Sequence, residues 1–266
     1  MSRILLIPAL ALWCLSLNAA AADDSANPDT EIWRQVRADL FGDRPITDDA
    51  GAGRVVLEMP ARAADAAVVP LAIRVRPSPD EAATKKLYVV IDRNPSPVAG
   101  IFEFGKRSGS LDMETRVRIE EYTWVRLIAE REDGSLLSTQ RFVKAAGGCS
   151  APAGKSLAER LAGIGQIKWR IDPAADPAAP SWVQLMIRHP NNSGLAMDQV
   201  THLYDPPYYV RNVQVTCGEG LVFSADVDFS ISENPVFRFT LPPGKECKPH
   251  ARVVDSGDRT FESSSF

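Results

Sequence analysis

The sequence predicts an all-β protein: two immunoglobulin-like β-sandwich domains joined by a short helix and a Pro/Ala linker. Three observations carry this. Short runs alternate apolar with polar residues, the period of a half-buried strand. Gly, Pro, Asn and Asp separate the runs at turn-like spacing. Between residues 151 and 180 the alternation gives way to Pro and Ala, which marks a boundary between two folded units. The expected divisions are a leader over 1–22, a first domain over 29–150, the linker over 151–180 and a second domain over 181–266.

The leader has the parts of a secretory signal peptide. Arg3 is its basic start, Ile4–Leu17 its apolar stretch and Ala19–Ala22 its small-residue cleavage site, with cleavage expected near Ala20–Ala22. Cys14 lies inside the apolar stretch after Trp13, a poor context for lipidation. The mature protein is therefore expected to be periplasmic. No later stretch reaches ~18 apolar residues, so no membrane span is expected. The net charge of −4, with basic residues scattered, argues against a nucleic-acid partner.

The first domain opens with a helix. Asp29 and Thr30 can cap it, Ile32, Val36 and Leu40 recur every fourth residue beside Trp33, and Gly42 closes it. Strands are expected at Arg54–Met59, Ala67–Arg76, Lys86–Asp92, Val98–Phe104, Arg116–Glu120, Thr123–Glu130 and Leu136–Val143. Glu132-Asp133-Gly134-Ser135 is the hairpin signal between the last two. Short strands in that number with turns between them are the pattern of an immunoglobulin-like sandwich. The alternating charges Arg116, Arg118 and Glu120 read as a solvated sheet face without function.

In the linker, Ser156-Leu157-Ala158-Glu159 is a capping box opening a short helix that ends near Gly163 or Gly165. Asp172–Pro180 is a semi-rigid Pro/Ala segment. The second domain is expected to hold strands at Ser181–Arg188, Tyr208–Cys217, Leu221–Val227, Pro235–Leu241, Lys248–Val254 and Arg259–Ser263.

Cysteine arithmetic singles out one thiol. Removal of the leader takes Cys14 and leaves Cys149, Cys217 and Cys247, an odd number in an exported protein. Cys217 ends one strand and Cys247 opens another in the same small domain. A bridge between them closes a loop of about 30 residues, worth ~3.6 kcal/mol in the chain-entropy model. The alternative is two separate buried thiols. Cys149 is then left over, behind Gly147 and Gly148, whose backbone freedom suits a presenting arm. Lys144 and Lys155 are the nearby cations in sequence that would lower its pKa.

Several segments look familiar. They are Phe41-Gly42-Asp43-Arg44-Pro45, Val68–Ile73, Arg93-Asn94-Pro95, Phe102-Glu103-Phe104 and Gly147-Gly148-Cys149 in the first half. In the second half they are Ile187-Arg188-His189-Pro190 through Gly194, Tyr209-Val210, Val213-Gln214-Val215 and Glu233-Asn234-Pro235 through Phe239. Together they resemble the SoxYZ sulfur-compound carrier of bacterial thiosulfate oxidation, with its two subunits fused into one chain. The resemblance implies two immunoglobulin-like sandwiches and a cysteine that carries sulfur intermediates covalently without being catalytic. It makes Cys149 the covalent carrier site and Gly147-Gly148 its arm. It implies no cofactor beyond the cargo, and partners among periplasmic oxidoreductases of c-type cytochrome or quinoprotein dehydrogenase systems. The chain differs in following Cys149 with Ser150-Ala151-Pro152 rather than Gly-Gly, and in anchoring the arm on both sides. Fused SoxYZ-like chains form a group associated with quinoprotein alcohol dehydrogenases, which this chain resembles most.

Three rival readings are open. A Cys–His hydrolase would need one of His189, His202 or His250, all in the other domain, beside the thiol. A metal or haem protein would need clustered ligands, and neither Cys-x-x-Cys-His nor a close His/Cys cluster occurs. A tandem β-sandwich binding or adaptor module without thiol chemistry would use Tyr204, Tyr208 and Tyr209 around Asp205-Pro206-Pro207 as a recognition loop.

Overall fold

The computed structural model describes residues 27–76, 80–105, 111–152, 156–176, 178–198, 202–241 and 248–265. The leader and Cys247 lie outside the described residues. The chain forms helix α1 at Glu31–Phe41, with Thr30 accepting the Trp33 N–H at 3.0 Å as N-cap and Gly42 closing the helix at φ +57°. α1 packs against the first half through Phe41, edge-on to Tyr88 at 5.0 Å.

The strands of the first half are β1 (Ile46–Asp48), β2 (Val55–Glu58), β3 (Val69–Val75), β4 (Thr84–Ile91), β5 (Val98–Phe104), β6 (Leu111–Val117), β7 (Thr123–Arg131) and β8 (Leu136–Val143). Helix α2 (Leu157–Leu161) has the expected capping box between Ser156 and Glu159, and Gly163 and Gly165 come in the turn beyond it at positive φ. The second half holds β9 (Ile167–Asp172), β10 (Ser181–Ile187), β11 (Val210–Cys217), β12 (Gly220–Val227), β13 (Val236–Leu241), β14 (Pro249–Asp255) and β15 (Thr260–Ser264).

These strands make two sheets, and each sheet runs through both halves. One has nine strands in the order β1-β8-β7-β4-β5-β12-β11-β14-β15; the other has six, β2-β3-β6-β13-β10-β9. The halves thus join edge to edge rather than as beads on a linker. Antiparallel pairing of Phe102 with Ala225 and Phe104 with Phe223 closes the first seam. Met113 with Phe239 and Glu114 with Arg238 close the second. One apolar core fills the space between the sheets from end to end. At its centre Phe102 of the first half meets Phe237 of the second edge-on at 6.4 Å, and Phe223 meets Phe239 at 5.1 Å. Aromatic pairs of this kind add to the burial of their area.

Three elements differ from the sequence expectation. Strand β9 lies within the stretch expected to be linker, where Ile167 and Trp169 turn inward and pair with β10. Strand β1 is a short parallel edge against β8. Strand β6 spans 111–117 rather than 116–120, because Leu111, Met113, Thr115 and Val117 supply its buried face. Residues 118–120 have therefore left the sheet, with consequences for the site.

No helix among the described residues is long and apolar enough to cross a membrane. A groove of about 670 Å³ lies on the outer face of the six-stranded sheet. Its charges pair with one another: Glu114 bonds both Arg74 and Arg238, at 2.5 and 2.9 Å.

Candidate functional site

Strand β8 delivers the chain at the rim of the first half; Lys144 bonds the backbone of Ala61 and Ala63, and Gly147 through Ser150 then run beside residues 119–120 after the end of β6. Gly147 N–H donates to the Glu120 carbonyl at 2.8 Å and Gly148 N–H to the Ile119 carbonyl at 2.9 Å. The Glu120 carboxylate takes the rest. Its Oε2 accepts from the N–H groups of Cys149 at 2.8 Å and Ser150 at 3.1 Å, and its Oε1 accepts from Ser150 Oγ at 2.6 Å.

Both glycines are needed for this path, though not as a loose hinge. Gly147 sits at φ +79°, where a Cβ is strained. Gly148 lies against backbone: a Cβ there would be 2.1 Å from the Ala66 carbonyl oxygen and 2.7 Å from that of Ile119.

The second half covers the thiol. Ser193 Oγ, in the loop after β10, donates to the Cys149 carbonyl. Arg118 Nη1 reaches across the seam to the carbonyls of Asn191 at 2.7 Å, Phe229 at 2.8 Å and Ile231 at 2.8 Å. Asn94 ties the parts together: its Nδ2 donates to the Arg118 carbonyl and to Ser230 Oγ, and its Oδ1 accepts from Glu120 N–H. Cys149 is 2% exposed as a result. The stretch that the sequence suggests is a presenting arm is docked in this structure, because its backbone donors all find partners on 119–120.

Burial pushes the Cys149 thiol up to about 12, with the Glu120 carboxylate adding to the shift, Arg118 opposing it and Asp228 adding a smaller push. Lys144, expected from sequence to favour the thiolate, is not among these causes; Arg118 is the cation that acts on the thiol. Lys155 lies outside the described residues. The docked thiol is thereby held in its protonated form at neutral pH. Since the thiolate is the nucleophile, burial works against the reactivity of the docked cysteine.

Two residues central to this geometry depart from their sequence reading. Arg118 and Glu120 alternate like a solvated face, but β6 ends at Val117 and the second half covers the residues after it. Arg118 is 9% exposed. The signal available is the uninterrupted Arg-Ile-Glu run ahead of a turn, which does not by itself separate surface from seam.

The histidines are engaged elsewhere. His189 is fully buried, its Nδ1 accepting from Asn191 N–H at 3.1 Å and its ring lying 4.7 Å from that of Tyr208. His202 is exposed, and His250 Nδ1 meets Ser264 Oγ at 3.0 Å. Of the expected tyrosine loop, Tyr208 donates to Asp255, Tyr209 packs edge-on to Phe229, and Tyr204 is exposed. Arg160 of α2 holds Asn192 and Asp205, which fixes the loop bearing Ser193. Among the described residues, no group of three or more His, Cys, Asp or Glu side chains is gathered to hold a metal ion.

Burial pulls the His189 pKa from 6.5 down to about 4, against the pull of Asp255. The unfolded chain therefore binds more protons than the folded one below pH 6.5. Stability is expected to fall as pH drops from about 6.5 towards 4. Burial raises the Asp228 carboxyl, which gives the opposite slope. Urea unfolding at pH 7 and pH 5, compared between wild type and His189→Gln, isolates the histidine: the variant should lose less stability on acidification. An equal loss in both would refute the assignment.

Comparison with known proteins fits this arrangement. Residues 37–149 match the family described as sulfur oxidation protein SoxY, and residues 170–265 match sulphur oxidation protein SoxZ. The chain belongs to the SoxYZ carrier family, in fused form. The SoxY match ends on Cys149 itself, and the SoxZ match begins inside β9. The seam between the halves is thus the SoxY–SoxZ junction, and Arg118, Asn94 and Ser193 are the residues that bind the SoxY part to the SoxZ part around the thiol. No curated protein matches the chain. Among solved structures, a β-glycosidase from Bacteroides vulgatus aligns with 80% of this chain and 24% of its own length, at 5% identity and a TM-score of 0.24.

Among the described residues Cys149 is the free cysteine. Cys217, at the end of β11, packs against the core. Its expected partner, Cys247, lies outside the described residues.

Proposed function

We propose that this SoxYZ-family protein is an exported, non-enzymatic carrier that holds a covalent, sulfur-linked intermediate on Cys149. Partner oxidoreductases perform the chemistry, and c-type cytochrome or quinoprotein dehydrogenase systems fit that role. The observation that carries this reading is the coincidence of the free thiol with the last residue of the SoxY match. The signal-peptide pattern of residues 1–22 supports export to the periplasm. Pairing Cys217 with Cys247 leaves Cys149 as the thiol of the mature chain, and we include that bridge in the proposal.

Attachment by oxidative coupling to a thiol cargo breaks the S–H bonds of Cys149 and of the cargo, forms the S–S bond, releases two protons and passes two electrons to an oxidant of the cytochrome class, one to each of two oxidised haems. Intact mass of the protein taken from its native periplasm tests the reading. The expected result is a mass increment on the Cys149 peptide that reductant removes. A bare thiol at Cys149 under every growth condition would sink the proposal and favour an adaptor module instead.

A further inference from the structure

We infer that Glu120 is a positioning residue that latches the Cys149 segment shut, and that the latch closes on the bare thiol and opens when the thiol is loaded. The second half of this inference rests on the carrier reading. Glu120 meets residues 147–150 with every acceptor it has: its carbonyl takes Gly147 N–H, and its carboxylate takes Cys149 N–H, Ser150 N–H and the Ser150 hydroxyl. A carboxylate accepting several donors at 2.6 to 3.1 Å makes strong, directional bonds. The Ser150 hydroxyl adds a side-chain donor to the three backbone N–H groups that Glu120 holds.

The seat is closed to cargo. Cys149 is 2% exposed, and the space beside Gly148 is so tight that even a Cβ there would meet the Ala66 and Ile119 carbonyl oxygens at 2.1 and 2.7 Å. The nearby charge is wrong for an anionic adduct as well. Glu120 and Asp228 both act on the thiol as negative groups. Arg118, the cation beside it, already commits Nη1 to three carbonyls across the seam. Atoms added to Sγ therefore displace the segment, and negatively charged atoms do so most.

Amide hydrogen exchange over residues 147–150 in the full mature chain reads the latch directly. In wild type these amides should exchange slowly. In Glu120→Gln they should exchange at least tenfold faster while the amides of β7 and β11 keep wild-type protection. A uniform rise across the protein, or no change at all, would overturn the latch. For the loaded state, Cys149 is modified in mild denaturant and returned to native buffer. The thiolate attacks methyl methanethiosulfonate or its 2-sulfonatoethyl analogue, an S–S bond forms, and methanesulfinate leaves. Both adducts should open residues 147–150 at least tenfold, the sulfonate more than the methyl. Protection retained in the modified chains would refute load sensing. These adducts are synthetic, so this result stands apart from the native-mass test: a bare native thiol would end the carrier reading and leave the Glu120 latch intact.

Discussion

Replacing Arg118 with methionine is expected to cost about 3–5 kcal/mol of unfolding free energy, the largest effect of any single change around the site. The guanidinium is almost fully buried, and burial pulls its pKa down. Its Nη1 satisfies the carbonyls of Asn191, Phe229 and Ile231, all on the second half, while its own carbonyl accepts from Asn94. Methionine fills much of the same volume and donates nothing. The three carbonyls would remain buried with fewer donors, and each such loss costs on the order of 1–3 kcal/mol. Urea titration with two probes measures it. Loss of coincidence between a probe in each half would show in addition that the seam has loosened. A decrease under about 1 kcal/mol would mean that water replaces the guanidinium and that the seam is wetter than its burial implies.

Gly148→Ala is expected to expose Cys149 while leaving the sandwich folded. A Cβ at this position meets backbone oxygens of Ala66 and Ile119 at 2.1 and 2.7 Å, and backbone, unlike a side-chain tip, has little freedom to retreat. The clash removes the docked geometry but touches no core strand. A docked thiol reacts only through local opening, and its rate is scaled down by the population of the open form. With the docked state removed, alkylation of Cys149 by iodoacetamide at pH 8 should accelerate about 100-fold, alongside a small fall in the thermal midpoint. Opening also returns the thiol from about 12 towards its ordinary value of 9. A wild-type alkylation rate would show that the thiol is covered by something other than the docked segment.

Much of the fold is legible because the alternation of inward residues is a local property. β3 announces itself through Leu71, Ile73 and Val75, and β7 and β8 through their runs around the Asp133-Gly134 turn. Which strands become neighbours is not local. β5 and β12 are separated by more than a hundred residues, and nothing in either states that one sheet edge will meet the other. β9 is hidden by its surroundings: Ile167, Trp169 and Ile171 alternate with charges, but the Pro/Ala stretch after them dominates the composition. The site shows the same division. Cys149 stands out through the odd cysteine count and the glycines before it. Its concealment depends on Ser193, 44 residues away, and on an Arg118 whose exposure only the folded seam decides.

The sheets that continue across the SoxY–SoxZ seam have a consequence for how the protein behaves on dilution. In two separate chains, the edge pairing of β5 with β12 and β6 with β13 would depend on protomer concentration. Here one polypeptide joins the two parts, so each meets the other at an effective concentration that linker length sets and dilution does not change. The cover over Cys149 is built from both parts, and its integrity is thereby independent of how much protein is present. On the carrier reading proposed above, the thiol therefore stays covered at the lowest expression level.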